Sequence, residues 1–209
     1  MTSVSSGRRV DASRALGVRQ NARLTALTGS VLLVLLFVEG ITVLQVGSLI
    51  VPHMVIGVAL IAPVLLKLAT TGWKIVRYYT RSPEYVREGP PPILRRLLAP
   101  VVMVTTVGLL GSGVALMLEG PNASSRWGLL HKGFFVLWFG AMTLHVLFHL
   151  GRTARAVTVE YLTRHPEALP GRGVRLLALA GILVVGVGLG AWAMGYTEAW
   201  THLFGAFRG

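Results

Sequence analysis

The chain has 209 residues, 53% of them hydrophobic and only 13% charged, with a mean hydropathy of +0.65. A soluble domain carries about 25% charge and a disordered chain is poor in apolar residues, so both classes are excluded. The net charge of +12 would suit a nucleic-acid partner, yet no basic residue lies between Leu24 and Leu66 or between Leu97 and Ser125. Charges gathered in blocks between apolar runs are the layout of a membrane protein, not of a nucleic-acid-binding face.

In chain order, residues 1–22 hold Arg8, Arg9, Arg14 and Arg19 among Ser, Thr and Gly, and are expected to form a loose basic tail. Five apolar runs follow, at 24–46, 50–72, 97–118, 129–150 and 174–195. Each matches the length of helix, about 20 residues, that crosses a bilayer. The first run is too long for a cleavable signal peptide, and no small-residue cleavage site stands out. The spacing therefore predicts an all-α integral membrane bundle of five helices over 23–195, followed by a short tail over 196–209.

Short cytoplasmic loops collect Lys and Arg. The N-terminal stretch through Arg23 has five arginines. The second connection has Lys74, Arg77, Arg81, Arg87, Arg95 and Arg96, and the fourth has Arg152, Arg155, Arg164, Arg172 and Arg175. The opposite side has only Arg126, Lys132 and Arg208. This bias predicts a cytoplasmic N-terminus and an extracytoplasmic C-terminus. The second connection reads as a lipid-anchored helix end (Lys74, Arg77, Tyr78, Tyr79) followed by a stiff Gly89-Pro90-Pro91-Pro92 turn, or alternatively as a docking site for a cytoplasmic partner.

His53 opens the second span and His131 the fourth. Both helices run in the same direction, so the two side chains are expected at matched depth near the outer surface. A single interfacial histidine is well explained as an amphipathic side chain at the headgroup level. Two facing imidazoles have a second use, as axial ligands of a haem iron. His145 follows His131 by fourteen residues, close to four turns or about 21 Å of rise, so both lie on one face of the fourth helix. Gly40 in the first span and Gly108, Gly111 and Gly113 in the third lie towards the same outer level. They suit either close helix packing or clearance for a porphyrin edge.

With this histidine spacing, residues 24–150 resemble the membrane b-type cytochromes of bacteria. The resemblance implies a four-helix haem-binding bundle in the plasma membrane, with His53 and His131 as the outer iron ligands and haem b as cofactor. It also implies electron transfer from a membrane or extracytoplasmic donor, with quinol as a candidate, to a redox protein. The pattern departs at Lys67, which stands fourteen residues after His53 where a second ligand would be. One haem on the outer side is therefore expected. Arg126 and Lys132 are the cations placed to meet its propionates.

Ionisable residues inside a membrane are costly and are functional candidates by default. Lys67, His145 and His149, with Thr70 and Thr71, are candidates for an inner quinone or proton site. The alternative is that Lys67 snorkels to the headgroups. Glu39, the one acid in the first span, is expected to pair with Lys132 or Arg126, with a part in proton transfer as the alternative. In the fifth span, Gly181, Gly186, Gly188 and Gly190 suggest tight packing or a groove. Trp192, Tyr196 and Trp200 suggest an outer aromatic belt, with His202 on the surface beyond it. The absence of cysteine removes disulfides, iron–sulfur clusters and thiol catalysis. No hydrolase or nucleotide-binding motif is present. The rival to an electron carrier is a haem-free scaffold subunit or a small proton-coupled transporter.

Overall fold

A computed structural model describes the backbone of residues 3–87, 89, 92–121, 124–158 and 170–206. These residues form helices α1 (Ser3–Leu44), α2 (Ile50–Ala59), α3 (Ile61–Tyr79), α4 (Pro83–Val86), α5 (Ile93–Glu119), α6 (Ser124–Val157), α7 (Arg172–Ala193) and α8 (Glu198–Ala206), and no strand occurs among them. Five stretches are long and apolar enough to cross a membrane: Leu16–Leu44, Ile50–Tyr79, Arg96–Glu119, Arg126–Gly151 and Arg172–Tyr196. The protein is an all-α, multi-pass membrane bundle. Pro90, Pro91, residues 159–169 with Arg164, and Arg208 lie outside the described residues, as do the side chains of Arg8, Arg9, Arg14, Arg95 and Arg152.

The stretch expected as a loose tail is helical from Ser3, continuous with the first span. A helix nucleates at a cost but propagates cheaply. Residues 8–24 contain no proline and are rich in Arg, Ala, Leu and Val, so the spanning helix extends backwards through them.

The second span is interrupted for one residue at Leu60, between α2 and α3. Pro63 lacks the N–H that would reach the carbonyl of Ala59, and its ring crowds that carbonyl. The helix runs on past this point, with Val64 N–H donating to Leu60 O at 3.0 Å. The carbonyl left over faces α7. A Cβ on Gly186 would lie 2.7 Å from Ala59 O, and one on Gly190 would lie 3.0 Å from Val55 O. Two of the four glycines in the fifth span therefore serve close backbone packing, while Gly181 and Gly188 are exposed.

Helix contacts set the layout. α6 packs along α5, α1 touches both α2–α3 and α6, and α5 also meets α2. Round the bundle the order is α1, α2–α3, α5, α6, so α2–α3 and α6 occupy opposite corners. α7 lies outside this square, against α2 and α3. The turns after α1 and α5 share one end, called the upper end, with the C-terminus of α7. There Ile50, Met54, Val58, Met117, Ala193 and Trp200 form an apolar cluster. Trp200 is buried, not part of an exposed belt, because α8 folds back over α2. Trp192 and Tyr196 stay exposed at this end and pack edge to face, and His202 is exposed as expected.

At the lower end the second connection is folded. Ser82 and Tyr85 are buried where α4 meets α1 and α3, and Arg77 pairs with Glu84 at 2.7 Å. Outward-facing side chains along the spans, such as Phe37, Ile41, Val104, Val136, Phe139 and Val184, are apolar and exposed. That surface fits contact with lipid.

Candidate functional site

The upper site begins on α1. Glu39 and Thr42 are three residues apart, so they share a face, and both are buried against the start of α2. His53 Nδ1 lies 2.8 Å from Glu39 Oε1, which as a carboxylate oxygen accepts the proton of that nitrogen. Thr42 Oγ1 donates to the carbonyl of Glu39 at 2.6 Å and lies 3.1 Å from both Glu39 Oε2 and the same His53 nitrogen. One turn along α2, Gly57 leaves the carboxylate its space, since a Cβ there would be 3.3 Å from Oε1. Glu39 thus pairs with His53 and not with Lys132 or Arg126. Those two cations are exposed on the upper part of α6.

His131 comes from the opposite corner. Its Nδ1 lies 3.1 Å from the carbonyl of Leu109 and 3.4 Å from Ser112 Oγ. Gly113 is the cradle for this ring, because a Cβ there would be 3.0 Å from His131 Cε1. Across the bundle, the ring centroids of His53 and His131 are 6.3 Å apart, with planes inclined at 71°. Glu39 is also close enough for its charge to act on His131. Each ring commits Nδ1 to the polypeptide, and Nε2 is the nitrogen left for a ligand.

The other glycines divide. Gly40 and Gly111 are exposed and have open space where a Cβ would stand. Gly108 does not provide clearance for a cofactor, because a Cβ there would fall within the ring of Phe134. Below the histidine pair, Leu32, Leu60 and Val64 form a second apolar cluster with Leu35, Leu36, Ile56, Leu68 and Leu110 around it. Apolar packing therefore lies below the pair and beside it, on the side of α2 that faces α7 and α8.

The lower polar group is built differently. Lys67 Nζ donates to the carbonyl of Thr25 on α1 at 2.6 Å. Gly29 opens the notch for it, as a Cβ there would be 2.8 Å from Nζ. Asn21 Nδ2 donates to the carbonyl of Thr70 at 3.0 Å and ties α1 to α3 beside this contact. His145 and His149 stack, with centroids 4.4 Å apart, and His149 Nδ1 lies 2.9 Å from the carbonyl of His145. Lys67 is within electrostatic reach of His145. No facing pair of imidazoles like that of His53 and His131 forms here.

Thr42, Gly57, Leu109 and Ser112 were not singled out from the sequence. For Thr42 a signal was present, the i, i+3 relation to Glu39. For the Leu109 carbonyl there was none, because a backbone acceptor has no residue signature. Among the described residues, no group of three or more His, Cys, Asp or Glu side chains could hold a metal ion. Comparison with protein-family models, with curated proteins and with solved structures finds no match.

Proposed function

We propose that the chain is a membrane b-type cytochrome that binds one haem b between His53 and His131 and carries electrons. The observation that supports this reading is the pairing of two anchored imidazoles from opposite corners of a bundle. Two imidazoles brought together in one site would hold a single haem iron between them. The rings here are 6.3 Å apart. When bound, haem supplies a one-electron iron couple tuned by its axial ligands and surroundings.

The chain's own residues then have definite tasks. Glu39 and Thr42 hold His53 in one tautomer, and Leu109 and Ser112 do the same for His131. Gly113 gives His131 its place, and the open space at Gly40 and Gly111 suits the edge of a planar group. The apolar cluster below the pair lies next to the ligand histidines. Arg126 and Lys132 are placed to meet acidic substituents at the upper end. By the arginine bias, that end is extracytoplasmic in a bacterial plasma membrane, which suits exchange with quinol at the outer leaflet or with an extracytoplasmic redox protein. Lys67, His145 and His149 support a second reading, an inner quinone or proton site. Without haem, that cluster would belong to a proton-coupled transporter or scaffold subunit.

The test is a reduced-minus-oxidised spectrum and a pyridine haemochrome assay on the purified protein. One low-spin haem per chain is expected. A colourless protein after expression with ample haem would sink the cytochrome reading and leave the transporter or scaffold.

A further inference from the structure

The two imidazoles of the upper site are anchored unequally. His131 leans on neutral groups, the Leu109 carbonyl at 3.1 Å and the Ser112 hydroxyl at 3.4 Å. His53 leans on a carboxylate at 2.8 Å. That carboxylate is held in a made place: Thr42 Oγ1 lies 3.1 Å from its far oxygen, Gly57 makes room for its near one, and Glu39 is only 9% exposed. An acid buried within a spanning helix is costly unless something uses it.

We infer that Glu39 is a positioning residue that sets the redox potential of the site by placing negative charge on His53. The inference rests on the cytochrome reading above. A charge-assisted hydrogen bond is shorter and stronger than a neutral one. A carboxylate on the far nitrogen fixes the ring's tautomer and raises its basicity as a ligand. In a buried setting its charge is little screened, so it favours the more positive, oxidised form of the iron. His53 is the electron-rich ligand and His131 the neutral one. Glu39 acts through His53 and touches no reacting atom.

The experiment uses the full-length protein in lipid nanodiscs, with haem content measured by pyridine haemochrome and potential by redox titration of the haem absorbance. Glu39→Gln keeps shape and removes charge. It is expected to change the oxidised-to-reduced ratio at a fixed potential at least about tenfold towards reduced, 59 mV upward for one electron. Glu39→Asp keeps the charge and should lie nearer wild type. Ser112→Ala, on the neutral side, should move the potential less than Glu39→Gln. If Glu39→Gln fails to hold haem, Glu39→Met gives the same reading, because it also removes the charge, needs no hydrogen-bond partner and should likewise raise the potential. An unmoved potential in haem-loaded Glu39→Gln, or in Glu39→Met where that variant must stand in, overturns the inference and leaves the cytochrome reading intact. So does a Ser112→Ala shift as large as that of Glu39→Gln. A wild type without haem overturns both.

Discussion

At the residue scale, the sharpest contrast is between the two histidine pairs. His53 and His131 face each other across the bundle, whereas His145 and His149 stack along one helix. On the proposed reading, His53→Ala with His131→Ala abolishes the low-spin haem spectrum, while His145→Ala with His149→Ala preserves it. A single substitution in the upper pair should leave some haem with an altered spectrum, since packing still holds the ring system. If the lower pair abolishes the signal and the upper pair spares it, the assignment is inverted. Gly113→Ala offers a gentler test, because its Cβ would press on His131 at 3.0 Å and should perturb the spectrum with the chain still folded. The matched depth of the two upper histidines was legible in the sequence, because helix direction and rise fix depth. The partner of Glu39 was not. Charge complementarity pointed to Lys132 and Arg126, but partner choice depends on how α1 is rotated about its axis, which periodicity alone does not set. Gly108 misled for a related reason: small residues in a span announce a close neighbour without naming it, and the neighbour is Phe134.

At the element scale, the number and centres of the five spans were legible because a 30-Å apolar slab imposes a minimum helix length. The extension of α1 back to Ser3 was not, since a run of arginines reads as tail although it propagates helix well. Nor was the folding back of α8, which buries one tryptophan, Trp200, among otherwise scattered apolar residues. The fifth span's glycines gave only a choice between packing and a groove. That choice resolves through Pro63, whose missing donor leaves the Ala59 carbonyl facing α7. Gly186→Ala should therefore be costly, because the new methyl meets a backbone oxygen at 2.7 Å that cannot move without moving the helix. Overpacking of this kind costs about 1–3 kcal/mol, seen as a lower unfolding midpoint in detergent. Gly29→Ala makes an instructive control. Its methyl would meet the tip of Lys67 at 2.8 Å, and a flexible amine can swing aside. Equal losses of stability in the two variants would count against the α7 packing argument.

At the scale of the whole molecule, the arrangement of charge and the arrangement of helices have to agree on a single orientation. The turns after α1 and α5 and the end of α7 share the upper end, so the N-terminus of the first span, the α3–α5 connection and the start of α7 share the lower one. Sixteen of the twenty basic residues are Arg8, Arg9, Arg14, Arg19 and Arg23, those from Lys74 to Arg96, and those from Arg152 to Arg175. Those among the described residues belong to segments at or leading to the lower end. Such a bias directs the basic side to the cytoplasm, since translocating each loop rich in Lys and Arg is opposed during insertion. Flipping the bundle would require three basic segments to cross the membrane while the upper end, where Arg126 and Lys132 stand among the described residues, stayed inside. A reporter active only outside the cytoplasm, fused after Gly209, should therefore be active, and the same reporter inserted beside Gly89 should be silent. A reporter active only inside should give the reverse pattern at both sites. An active external reporter at Gly89 would place the Lys67 cluster outside and the His53–His131 pair inside. The electron exchange proposed for the upper site would then have to be with a cytoplasmic partner.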